Sequence, residues 1–144
     1  MTQEKHTVRT IQAMRDKGEK ITMLTAYDYP TAKQINDAGI DTILVGDSCA
    51  MVVHGHPNTL NATMDMMVLH CRAVSRGCSR TMVIADMPFG SFQYSIEDTM
   101  KNAARFVTEA KVDAVKFEAT PNHIEKTKAI VQMGIAVVGH VGLH

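Results

Sequence analysis

The sequence predicts an α/β fold of repeated βα units with parallel strands, and three features carry that reading. Short apolar runs rich in Val and Ile alternate with longer amphipathic stretches, the pattern of strands joined by crossover helices. Five such runs fall within 144 residues, and each has the length of a buried strand. Every run also holds a polar residue toward its carboxyl end, where parallel α/β folds bind their ligands.

In chain order, the opening MTQEKHTVRTIQAMRDKGEK precedes the first strand and reads as a helix. It mixes Glu4, Asp16 and Glu19 with its basic residues and lacks an apolar block, which argues against a signal or transit peptide. The predicted strands are 21–28 (ITMLTAYD), 41–48 (DTILVGDS), 81–89 (TMVIADMPF), 114–119 (AVKFEA) and 135–143 (IAVVGHVGL). Helices are predicted between them: 30–38, ending at Gly39, and 64–76, ending at Gly77 with Asn61 or Thr63 as its cap. Ser95 stands three residues before Asp98, a relative of the capping box, and opens a helix to about Lys111. Thr120 followed by Pro121 reads as a cap with proline at the first helical position of a helix that stops near Gly134. No linker, repeat or charge block divides residues 1–144, so one domain is expected. An open doubly wound sheet and part of an eight-stranded barrel both fit this order. Length alone favours the open sheet, because a full barrel takes ~250 residues.

Fifteen basic residues balance fifteen acidic ones, so no overall field attracts nucleic acid or an acidic membrane. No apolar run reaches membrane-spanning length. Cys49, Cys71 and Cys78 are odd in number and form no CxxC pair, which suits reduced thiols in the cytoplasm. Cys71 and Cys78, seven residues apart, read as packing on one helical face.

The chemistry lies at the strand ends. Strand alternation places Asp47 on a face with Ile43 and Val45, Asp86 with Ile84, Lys116 with Glu118, and His140 with Val138. Carboxylates converging on an apolar face must bind protons or share a cation. With no clustered cysteine and at most one nearby histidine, a hard oxygen-loving ion is favoured, Mg²⁺ first. Lys116 then suits an anionic substrate or an enolate, and the Ser48 hydroxyl suits a carboxylate. The competing readings are structural: Asp28, just before Pro30, as a turn former or cap, Lys116 as the partner of Glu118 or another acid, and His140 as a hydrogen-bonded core histidine. His54 and His56, two apart in HGH, are weak as a metal motif and are read as loop residues. Most of the eleven methionines, Met64, Met66 and Met67 among them, are read as core filler.

At these residues the sequence resembles the ketopantoate (3-methyl-2-oxobutanoate) hydroxymethyltransferase family. The resemblance rests on TAYDYPTA at 25–32, LVGDS at 44–48, GH with TL across 55–60, ADMPF at 85–89, VKFE at 115–118 and GHVGL at 139–143, in the family's order. It implies a (β/α)₈ barrel, of which this chain holds the amino-terminal five strands, and a homo-oligomer. The implied reaction moves a hydroxymethyl group from 5,10-methylenetetrahydrofolate to 3-methyl-2-oxobutanoate, giving 2-dehydropantoate for pantothenate synthesis by Mg-assisted enolate formation. Mapped by resemblance, Asp47 and Asp86 ligate Mg²⁺, Glu118 supports it through the second shell, Ser48 and Lys116 bind the keto acid, and His140 hydrogen-bonds near the substrate. The chain departs from the family at Cys49-Ala50, where Leu-Gly is usual, at Lys111, near an expected glycine, and at Ala119, where glycine is common. The family's proposed general base, a glutamate on the strand after GHxGL, is expected beyond residue 144. Little activity is therefore expected of the 144-residue chain alone. The competing readings are a non-catalytic half-barrel that needs a complementary chain, and another Mg-dependent 2-oxo-acid barrel of the phosphoenolpyruvate mutase and isocitrate lyase group.

Overall fold

The computed structural model describes residues 4–142. The last residue of the fifth predicted run, Leu143, lies outside the described residues, as does His144. In order come α1 (Val8–Asp16), β1 (Met23–Thr25), α2 (Tyr29–Asp37), β2 (Thr42–Val45), α3 (Cys49–Val52), α4 (Met64–Gly77) and β3 (Met82–Asp86). They are followed by α5 (Ile96–Ala110), β4 (Ala114–Glu118), α6 (Ile124–Gln132) and β5 (Ala136–His140).

The five strands form one sheet in the order β1-β2-β3-β4-β5, and every neighbouring pair is parallel. Sequential order is the mark of a barrel, since a doubly wound sheet reverses direction at a switch point. The side chains agree. Ile43, Val45, Val83, Ala85, Val115 and Phe117 pack beneath α2, α4, α5 and α6 in a single core. The opposite face carries a smaller cluster, Met82, Ile84 and Ala114, with Leu44, Ala136, Val138 and Ile11 of α1 against it. Crossover helices on one face only are what a barrel requires, so the open sheet favoured by length is excluded.

The strands are shorter than the apolar runs, for local reasons. In the first run, Asp28 is already the cap of α2, its carboxylate accepting from Thr31 N at 2.8 Å. Its turn-and-cap reading is correct. In the third run Pro88, which has no N–H to give a ladder, follows Asp86 out of the sheet. Thr63 rather than Asn61 caps α4, and the Ser95 hydroxyl accepts from Asp98 N while donating to the Asp98 carboxylate. Thr120 does not cap α6: Pro121–His123 form a 3₁₀ turn first, and the Thr120 hydroxyl instead meets His123 Nδ1 at 3.1 Å. Cys78 is buried, but it lies just past α4 rather than on its face. Among the described residues no helix is long and apolar enough to cross a membrane.

Candidate active site

At the carboxyl ends of the strands a cleft of about 360 Å³ is lined by Asp47, Asp86, Lys116, Glu118 and His140. Strand register builds most of it. Asp86 lies directly opposite Lys116, and Glu118 opposite His140. All four continue the inner face whose lower positions are Ile84, Ala114 and Val138, so the site has an apolar floor. Lys116 Nζ donates to Asp86 Oδ1 at 2.6 Å, and both side chains are largely buried. Of the structural alternatives for Lys116, pairing with another acid is therefore correct, and the pair sits inside the cleft.

Asp47 reaches the site by another route. The expected continuity with Ile43 and Val45 fails, because those two side chains face the helices. By alternation the inner-face position is Gly46, whose strand has ended at Val45. A Cβ on Gly46 would come 2.8 Å from Ser48 Oγ and 3.7 Å from Asp86 Oδ2, so a side chain there would crowd the site. The glycine lets the turn after β2 swing Asp47 inward.

Burial pushes the Asp47 carboxyl above its usual range, and the nearby Asp86 charge pushes the same way. Glu118 adds to this, while Lys116 and the Ser48 backbone N–H oppose it. Three carboxylates thus share one ammonium, and the local charge balance favours a further cation. Asp86 Oδ1 is held by Lys116, whereas Oδ2 faces Gly46 and the Asp47 turn. Among the described residues no three His, Cys, Asp or Glu side chains are grouped closely enough to cage a metal unaided. The carboxylate oxygens that line the cleft fit a hard cation that keeps water or substrate oxygens in its shell, as Mg²⁺ does.

Ser48 opens α3 and does not line the cleft; its hydroxyl lies 2.9 Å from the Tyr27 hydroxyl. Several walls were not singled out as site residues from sequence: Phe89, which is 61% exposed, together with Phe92 and Gln93. They sit on the loop from β3 to α5, which Lys126 Nζ holds by donating to Phe92 O at 2.7 Å and Gln93 O at 2.9 Å. That lysine is over thirty residues away in sequence, so no local pattern announces it. Thr59 and Leu60 complete the rim and had entered only as the TL of the resemblance. The three thiols are buried, and burial raises Cys49 and Cys78 to about 11, which leaves them as packing groups.

Known proteins resemble this chain in sequence and in fold. A 3-methyl-2-oxobutanoate hydroxymethyltransferase of Clostridium botulinum is 53% identical over 139 residues, covering 96% of this chain and 50% of the relative. The mitochondrial 3-methyl-2-oxobutanoate hydroxymethyltransferase 1 of Oryza sativa subsp. japonica is 50% identical over 138 residues, covering 95% of this chain and 38% of its own length. The chain thus spans about half the length, or less, of these relatives. Among solved structures, 2,3-dimethylmalate lyase, a PEP mutase/isocitrate lyase superfamily member, superposes with a TM-score of 0.67 at 18% identity, over 91% of this chain and 51% of that one. Phosphonopyruvate hydrolase, crystallised with oxalate and Mg²⁺, gives 0.65 at 17% identity, over 85% of this chain and 45% of that one. These two likenesses carry the fold, five strands of a TIM-type barrel. The family model for ketopantoate hydroxymethyltransferase matches residues 5–144, and the chain belongs to that family.

Proposed function

We propose that this chain supplies the metal and keto-acid half of an active site that transfers a hydroxymethyl group from 5,10-methylenetetrahydrofolate to 3-methyl-2-oxobutanoate. The observation that carries the reading is the convergence of Asp47, Asp86 and Glu118 around the single ammonium of Lys116, in a cleft of about 360 Å³. Such a volume lies within the ~300–1,000 Å³ of small-molecule sites.

Asp47 and Asp86 would hold the cation, and Glu118 would support it from behind them. When bound, Mg²⁺ supplies Lewis-acid polarisation of a keto oxygen, which acidifies the neighbouring C–H. Lys116 steadies the negative charge of the keto acid. The Ser48 hydroxyl, 2.9 Å from the Tyr27 hydroxyl, would turn from that partner to bind the substrate carboxylate. Leu60 and Phe89 give the branched alkyl end an apolar wall. His140, which lines the cleft, would hydrogen-bond near the bound acid, and proton removal from C3 falls to a carboxylate outside this half. The barrel unit is residues 1–144, placed in the cytoplasm on its three unpaired thiols, and the closed enzyme is a homo-oligomer.

The open edges favour turnover only after closure. Among the described residues β1 and β5 each pair on one side only, and Met23 and Leu24 are 46% and 48% exposed. Binding and turnover should therefore separate. With C3-deuterated 3-methyl-2-oxobutanoate and Mg²⁺, the chain alone should wash out deuterium about 10²–10⁴-fold more slowly than a full-length relative, the usual worth of a general base. Washout at the relative's rate would show that the base lies within these residues.

A further inference from the structure

We propose that His54 and His70 form a second cation site, separate from the carboxylate cleft, for a transition-metal ion of the Zn²⁺ class. HGH alone is a weak motif, but the fold brings it a partner from α4. His54 Nε2 and His70 Nε2 stand 2.8 Å apart, with the two rings at 72°. The second nitrogen of His70, Nδ1, lies 2.7 Å from the Tyr27 carbonyl oxygen. A carbonyl only accepts, so Nδ1 carries the proton, and in the neutral ring Nε2 presents its lone pair toward His54. An imidazole whose far N–H is fixed by a backbone carbonyl is the arrangement by which proteins orient a metal-ligating histidine.

Without metal, His54 Nε2–H donates to that lone pair. With metal, His54 takes the other tautomer and both Nε2 atoms face the ion. Two nitrogens at ~2.0–2.1 Å from Zn²⁺ stand roughly 3.3 Å apart in a tetrahedral shell, so the pair must open by about half an ångström. His54 is exposed in the turn after α3, where its backbone N–H donates to Cys49 O at 3.2 Å, and its side chain can give that distance by rotation. Water completes the shell. Imidazole selects Zn²⁺, Ni²⁺ or Cu²⁺ over Mg²⁺, so the two sites divide by ligand hardness. Bound metal would tie α4 to the segment that runs on to Thr59 and Leu60 at the cleft rim.

The test is to titrate Zn²⁺ against a chromogenic chelator competing with the 144-residue chain, in excess Mg²⁺ to fill the carboxylate cleft. One equivalent should bind, with the Nε2 ¹⁵N resonances of His54 and His70 moving together. His54→Gln, at an exposed position that does not threaten folding, should weaken binding at least ~10-fold, and His70→Gln likewise. Asp86→Asn should leave Zn²⁺ affinity unchanged. Absence of stoichiometric binding, an unaltered affinity in His54→Gln, or loss in Asp86→Asn would each overturn the proposal and leave the pair as a hydrogen bond only.

Discussion

Asp86 and Lys116 face each other across the β3–β4 register, so changing either alters the electrostatics of the other. The 2.6 Å contact is largely buried, and an uncompensated Asp86 carboxylate would carry a desolvation cost. Lys116→Met should therefore destabilise the metal-free chain by about 1–3 kcal/mol. It should also tighten Mg²⁺ binding, because the ammonium and the cation compete for one carboxylate. Thermal melts with and without Mg²⁺ measure both, and a smaller Mg²⁺-dependent rise in Tm than in wild type would contradict the competition. The same variant should bind the keto acid more weakly, since Lys116 is the only Lys or Arg among the described residues that line the cleft.

At the amino-terminal ends of the strands the determinant is Asp41, which ties the approach to β1 to the start of β2. Its carboxylate accepts from Thr22 N at 2.8 Å and Thr22 Oγ1 at 2.7 Å, and His6 and Arg80 stand nearby. Burial alone would raise this carboxyl, but the Thr22 bonds and the two basic neighbours hold it below its usual 3.8. A carboxyl depressed on folding contributes stability that is fully present above the unfolded value and lost as pH falls through the folded one. Asp41→Ala should cost roughly 1–3 kcal/mol at neutral pH. That gap should narrow as urea midpoints are followed below about pH 4, where the unfolded carboxyl takes up its proton. A pH-independent gap would assign the loss to packing alone.

Elements were legible in the sequence wherever one local signal decided them. The Ser95/Asp98 pair, Thr63 and the stop at Gly39 are written in single residues and appear where expected, whereas α4 runs through Gly77, packed against Tyr29 O, and caps at Cys78. Lys111 was marked as standing near an expected glycine, and it is the one non-glycine residue with positive φ among those described, at 59°. It caps α5 in the left-handed region that glycine enters without cost. What sequence did not carry depends on tertiary placement. The inward swing of Asp47 needs Gly46 to end the alternation, the delayed start of α6 follows from the 3₁₀ turn after Thr120, and the loop walls at Phe89 and Phe92 depend on Lys126. Four of the five polar strand-end positions, those of Asp47, Asp86, Lys116 with Glu118, and His140, meet in the cleft; Asp28 is the exception.

For the whole molecule, sheet order decides between architectures that composition leaves open. Helices on one face and a second apolar cluster on the other make this a half-barrel with a formed floor and an open side. The proposed chemistry is divided in the same way: Asp86, Lys116 and Glu118 stand on strands that are already paired and Asp47 in the turn after one, so the proposed metal and keto-acid site does not have to wait for the rest of the barrel. That division is tested most directly by calorimetric titration of 3-methyl-2-oxobutanoate into the 144-residue chain, with and without saturating Mg²⁺, beside Asp86→Asn. Binding should require Mg²⁺ and weaken at least ~10-fold in the variant. Equal affinity without the cation, or an unaffected Asp86→Asn, would contradict the assignment of these carboxylates to a metal-bound keto acid.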